Sequence, residues 1–232
     1  KLNEIVIKDA VNVHLKDIGH DGKTQDIAYE NAQARERTQI LFDIGNMENA
    51  IVIGTGDKSE ISQGFATYNG DHMSSYAVNA SLTKTELRYI VSYLVENTEN
   101  QKLKEVLDDI LKTPISPELK NESEDKISQK TEDIIGPYEL IDFFTYEFLE
   151  NSSVEEIYEK AKAAFKDDYD SKTIKKWLKS FYKRLLSSQF KRSVSVDGPA
   201  LSKKSFSPRR GYLLPSDMSS KIFIERIEKL DE

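Results

Sequence analysis

The chain has 232 residues and a mass of 26.5 kDa, with 33 basic against 40 acidic side chains and a formal charge of −7. At this mass a compact fold exposes roughly 10,700 Å² against about 38,000 Å² for the extended chain, enough for one large domain or a domain with an appendage. It is 38% apolar, has no cysteine, and lacks an uncharged apolar run near the ~20 residues of a bilayer span; this excludes spanning helices, disulfides, zinc–thiolate sites and thiol nucleophiles.

Lys1 is not methionine, and KLNEIVIKDAVNVHL has neither the charged and apolar regions nor the cleavage site of a leader. The start therefore reads as an internal fragment or a chain cut upstream, with a strand expected almost at once at Ile5, Val6 and Ile7. The Ala-, Gln-, Glu- and Arg-rich stretch 24–46 predicts a long helix. At 50–60, AIVIGTGDKSE reads as a strand turning into a helix. Ile51, Val52 and Ile53 suit a parallel strand buried on both faces, and Asp57 with Glu60 three residues on suits a reciprocal helix cap. Thr83 and Glu86 form a second such box, followed by Leu87, Ile90, Val91, Leu94 and Val95 at helical spacing.

A further helix over 99–111 is stopped by Pro114 and Pro117, and the polar run 120–133 predicts a mobile loop. Helices follow over 138–150, 154–166 and 171–187. The last places Ile174, Leu178 and Phe181 on one side and Lys175, Lys176, Lys179, Lys183 and Arg184 on the other. The segment 189–210 is irregular and basic, six Lys or Arg against Asp197, and a final helix is expected over 216–230. The class is α/β with a short sheet: an α/β part over 1–119, then a helical part with a basic tail over 120–232.

In open α/β sheets ligands bind beyond the carboxyl ends of strands, where helix N-termini attract anions. GTGD at 54–57 occupies such a place. Its glycines admit a phosphate or adenine, the Thr55 hydroxyl can donate, and Glu60 could hold a divalent cation. A GxG turn alone equally marks an ordinary connection. Arg35 and Arg37 are either surface ion-pair partners or phosphate clamps, and Lys191 and Arg192 of QFKRS end either a solvated charge run or a phosphate-binding one. His14, His20 and His72 lack metal-ligand spacing, and none of the ten glycines adjoins another, so the chain holds no Gly-Gly pyrophosphate loop.

Taken in order, YENAQARERTQIL (29–41), IVIGTGDKSEISQGFATYNGDHMSSYAVNASLTKT (51–85), TPISPEL (113–119), TEDIIGPYELIDFF (131–144), SQFKRSVSVDGPA (188–200) and SPRRGYLLPSDMS (207–219) resemble the synthetase domain of NAD⁺ synthetases. GDHMSSYAVNAS resembles the glutamine-dependent branch more than the shorter ammonia-dependent one. The resemblance implies a truncated Rossmann-like fold of the adenine-nucleotide alpha-hydrolase type, with a short parallel sheet and a predominantly helical C-terminal half. It implies that ATP and Mg²⁺ serve to adenylate the nicotinate carboxylate of deamido-NAD⁺, after which ammonia derived from glutamine displaces AMP. Carried onto this chain, Thr55, Lys84 and Ser116 fall at ATP contacts, and Glu60 at a carboxylate serving both metal and dinucleotide. Asn31, Arg35, Phe65, Ala66, Thr67, Tyr68 and Lys191 fall at deamido-NAD⁺ contacts, the first two partly across a dimer interface. No catalytic residue is assigned.

Similar proteins carry, ahead of the region where this chain begins, an SGGxDS loop that grips pyrophosphate, and an N-terminal nitrilase-like glutaminase with a cysteine nucleophile; neither is in this sequence. Ala200 stands where lysine is common, and SPRRGYLLPSD replaces the commoner SPRGDWRMPSD. The expectation is a cytoplasmic enzyme part that forms a homodimer or higher oligomer, works with a glutaminase domain and meets neither nucleic acid nor membrane. Alone it would hold ATP and Mg²⁺ weakly and turn over little. Alternatives are another ATP pyrophosphatase such as a GMP synthetase, against which YENAQAR and GDHMS speak, or a non-catalytic module. Such a module would use its basic tail on RNA or a partner domain, or the helices 27–49 and 84–96 for assembly. The loops 64–80 and 190–212 lack local cores and are expected to be poorly ordered without ligand.

Overall fold

The structure, a computed structural model, describes residues 2–113, 115, 131–202, 204–209 and 211–231. Ile7, Val11 and Leu15 recur every fourth residue, so the first element is a helix, α1 (Lys8–Asp17), packed on Ala32 and Tyr29 of the long helix α2 (Ile27–Met47). The strand expected at Ile5–Ile7 is absent: this stretch has no regular structure and Val6 is 79% exposed, because an apolar triplet without a paired neighbour gains nothing from extension. Asp26 starts α2 by accepting from the Tyr29 amide at 2.9 Å.

Two short strands, β1 (Ile53–Gly54) and β2 (Tyr76–Ala77), pair in parallel with Ile53 opposite Tyr76 and Gly54 opposite Ala77. The parallel sheet is therefore present, but the two-sided burial expected of Ile51–Ile53 is not: Ile51 is 67% and Ile53 49% exposed. A two-residue partner on one edge cannot cover both faces as flanking helices would. Asp57 and Glu60 form the expected capping box of α3 (Lys58–Gln63), and Thr83 and Glu86 that of α4 (Lys84–Asn97). α4 packs against α5 (Gln101–Lys112), tied by Arg88 Nη2 to the Leu111 carbonyl at 3.1 Å, yet neither helix has a fully buried residue.

Of the loop expected over 120–133, only Thr131–Asp133 lie within the described residues, and they open the short helix α6 (Thr131–Ile135). Then come α7 (Tyr138–Leu149), α8 (Val154–Ala164), α9 (Ser171–Ser187), α10 (Gln189–Arg192) and α11 (Lys221–Glu228). The turn α10 occupies the start of the segment expected to be irregular, and the last helix is shorter than expected because its lead-in, Pro215 to Met218, closes a turn instead. The main core lies among α7, α8, α9 and α11, where Phe144, Phe148, Phe181 and Tyr182 meet largely edge to face. Each such ring contributes about 1.5–3 kcal/mol by leaving water. Gly136 (φ +104°) admits Trp177 so closely that a Cβ would sit 2.8 Å from its ring. The basic side of α9 is partly paired: Lys179 meets Glu228 and Lys175 reaches the Leu230 carbonyl, both by α11. No helix among the described residues is long and apolar enough to cross a membrane.

The helix α3 rests on α7 and α9 and connects this core to the strand pair. Its buried residues are all polar, Lys58, Ser59, Ser62 and Gln63. Hydrogen bonds therefore locate it together with Ile61, which is partly buried against the core.

Candidate functional site

Two clusters lie at the two ends of α3. At its N-terminal end the box fixes Glu60, whose Oε2 accepts from the Asp57 amide at 3.2 Å while Asp57 accepts from the Glu60 amide at 3.0 Å. Lys84, the first residue of α4, places Nζ 2.5 Å from Asp57 Oδ2 and 3.0 Å from Glu60 Oε1. The Lys58 amide bonds the Leu82 carbonyl at 2.8 Å, which holds the two helix starts together. Burial, then the neighbouring Asp57 carboxylate, pushes the Glu60 carboxyl above its ordinary value despite Lys84. Burial works against the Lys84 ammonium, but Asp57 and Glu60 outweigh it and raise its pKa.

Two carboxylates against one ammonium leave a surplus negative charge at this end of α3. Among the described residues no group of three or more His, Asp or Glu is arranged to hold a metal by itself. Mg²⁺ commonly takes one or two protein carboxylates and completes its shell with phosphate oxygens and water, so Glu60, half-buried and beside the surplus charge, fits such an ion. Thr55 lies just before the box on an exposed loop and its carbonyl accepts from Asn79 Nδ2 at 3.3 Å. Ser116 lies outside the described residues.

At the C-terminal end, Gly64 turns the chain with φ +57°, and a Cβ there would sit 2.2 Å from Ser188 Cβ. The following residues, 65–68, are gripped from two distant parts of the sequence. Asn31 Oδ1 on α2 accepts from Thr67 Oγ1 at 2.8 Å, and Arg35 Nε donates to the Tyr68 carbonyl at 3.2 Å. From α10, Lys191 Nζ donates to the carbonyls of Gly64 and Ala66 at 2.8 and 2.6 Å. Burial lowers the Lys191 pKa. The Tyr68 ring lies 5.4 Å from Phe190 and stacks on His72 at 6.1 Å. An ammonium and a guanidinium beside aromatic faces can bind phosphate and a flat heterocycle at once.

The structure thus unites Asn31, Arg35, Ala66, Thr67, Tyr68 and Lys191, with Phe65 half-buried in the same stretch, and separately unites Glu60 with Lys84. Thr55 touches neither cluster through any hydrogen bond described above. From sequence, Asp57 reads only as a cap, and Arg192 only as part of a charge run that is either solvated or phosphate-binding, not as a buried tether. Arg192 is 2% exposed, bonds the Ser62 carbonyl at 3.0 Å and Gln189 Oε1 at 3.0 Å, and burial lowers its pKa to about 10. No periodic signal distinguishes it from a solvated residue.

Residues 1–193 match the family described as NAD synthase. The glutamine-dependent NAD(+) synthetase of Mycobacterium leprae is 35% identical over 257 residues, covering 97% of this chain and 37% of the relative. That of Mycobacterium tuberculosis H37Rv is 35% identical over 98% of this chain and 37% of its own length, and that of Aquifex aeolicus 33% over 69% and 26%. The chain therefore spans well under half the length of these relatives. Among solved structures, a glutamine-dependent NAD(+) synthetase from Cytophaga hutchinsonii superposes with TM-score 0.72 at 21% identity, over 97% of this chain and 34% of that one. An NMN synthetase from Francisella tularensis superposes with TM-score 0.51 at 26% identity, over 78% and 62%.

Proposed function

Because the chain belongs to the NAD synthase family and shares its adenine-nucleotide alpha-hydrolase fold, we propose that it is part of the synthetase domain of a glutamine-dependent NAD⁺ synthetase. In this reading ATP adenylates the nicotinate carboxylate of deamido-NAD⁺ and ammonia from glutamine displaces AMP. The observation that carries it is the gripping of residues 64–68 by Asn31, Arg35 and Lys191, from two distant stretches, at one end of α3, with the Glu60–Lys84 pair at the other end.

Arg35, Lys191 and the residues 65–68 bind and orient the dinucleotide, and Lys84, with Thr55 and Ser116, attracts the triphosphate. Preorganised charge of this kind contributes most of the catalysis in such transfers. Glu60 would hold Mg²⁺, which when bound supplies neutralising charge at the phosphate oxygens. The intact enzyme works in the cytoplasm with a glutaminase domain and self-associates. In support of self-association, α2 leaves Ile27, Leu41 and Met47 more than half exposed. None of the ten glycines adjoins another, so the chain by itself has no pyrophosphate cradle and turns over little.

Titration of the chain with deamido-NAD⁺ tests the reading. Arg35→Met is expected to weaken binding by about tenfold, one charge-assisted contact; equal affinity of the two proteins overturns it. A coupled assay with deamido-NAD⁺, ATP and ammonium is expected to give little NAD⁺, and turnover matching a full-length relative would contradict the account of the isolated chain.

A further inference from the structure

Beneath Lys84 lies a buried carboxylate outside both clusters. Asp142 of α7 is 6% exposed, and its two oxygens reach the first turns of two other helices. Oδ1 accepts from Ser59 Oγ of α3; Oδ2 accepts from the Thr85 amide at 2.9 Å and from Thr85 Oγ1 at 2.6 Å, both of α4. Ser59 Oγ in turn accepts from the Lys84 amide at 2.8 Å. The two successive amides that open α4 therefore end on one network anchored at Asp142.

Among the described residues no cation pairs with Asp142, and the nearby Asp57 carboxylate repels it. A buried anion is costly unless hydrogen bonds and dipoles hold it. Here hydroxyls and the positive ends of α3 and α4 do so. A volume-matched apolar side chain would fill the same space without that cost, but it would leave the Thr85 amide unpaired and the first turn of α4 untied. Lys84 stands in that turn, and its Nζ reaches Asp57 and Glu60 only while the two helix starts stay in register.

We propose that Asp142 is a positioning residue for the Lys84 ammonium: by fastening the first turn of α4 to that of α3 it sets Nζ where nucleotide phosphate is to be met. The consequence for ATP rests on the function proposed above; the geometric role does not.

The test uses the full chain with Asp142→Asn and, as control, Thr145→Val. Thr145 is buried on the same helix and bonds Ser62 Oγ of the same α3 at 3.2 Å, away from Lys84. The readouts are the Lys84 side-chain NMR signals, assigned with Lys84→Arg, the thermal midpoint, and titration with Mg·ATP. Asp142→Asn is expected to move the Lys84 signals and weaken ATP binding by about tenfold or more. Thr145→Val should lower the midpoint while leaving the Lys84 signals and ATP affinity in place. Unmoved Lys84 signals in Asp142→Asn, or an equal displacement in Thr145→Val, would overturn the proposal. If the wild-type chain binds no ATP, the consequence for ATP fails in the isolated chain, and the Lys84 signals still decide the role of Asp142.

Discussion

Gly64 marks the point where α3 ends and the stretch proposed to bind the dinucleotide begins, and it does so with a positive φ and no room for a Cβ against Ser188. Gly64→Ala is therefore expected to lower stability by about 1–3 kcal/mol, the usual cost of a strained backbone position, with any clash added to it. Urea unfolding measures this, and an unchanged midpoint would mean that the turn relaxes freely. Glu60 gives a pH signature. Its folded-state pKa lies above the reference 4.5, so the native state holds the proton more tightly than the unfolded chain does. The resulting stabilisation is complete below about pH 4.5 and is lost as the pH rises through the raised folded value. The stability difference between wild type and Glu60→Gln should accordingly shift against the wild type from pH ~4.5 toward neutrality, and a flat difference over that range would refute the shift. At this scale the sequence was informative where partners are three residues apart, as in the boxes at 57–60 and 83–86. It was silent where they lie far apart, as for Arg192 with Ser62 or Asp142 with Thr85.

Among the elements, α9 and α3 show opposite ways of fixing a helix. The apolar stripe of α9 was legible from its spacing, and Phe181 on it is fully buried against Phe144, Phe148 and Tyr182. Phe181→Ala should cost about 3–5 kcal/mol, read by chemical denaturation. In contrast the fully buried residues of α3 are all polar, with Ile61 only partly buried, so the capping residues located its start but hydropathy did not show the face it buries. The pair α4 and α5 is apolar by pattern and unburied in fact: Tyr89, Tyr93, Val106 and Ile110 are all more than half exposed. Few buried contacts mean low local stability. Amide exchange in α4 and α5 should outpace that in α7 and α9, and equal protection of both pairs would show that the hairpin is as firmly held as the core. Within the stretch 64–80, expected to be poorly ordered without ligand for want of a local core, residues 64–68 meet long-range tethers from Asn31, Arg35 and Lys191 that no local pattern announces.

For the molecule as a whole, two apolar faces stay open: Ile27, Leu41 and Met47 of α2, and Tyr89, Tyr93, Val106 and Ile110 of the α4–α5 pair. Sedimentation should therefore show concentration-dependent association of the chain, and a monomer at every concentration would remove self-association from the proposed function. The sequence by itself determined the chain order of most helices, their caps, and, through ordered motifs, the family. These follow from contacts within a few residues and from residue types in fixed order. Only the tertiary structure decided that Ile5–Ile7 forms no strand, that β1 stays uncovered, and which atoms of 64–68 Asn31, Arg35 and Lys191 hold. Those outcomes depend on which distant surfaces approach one another, and neither the period of a helix nor the spacing of a motif encodes that.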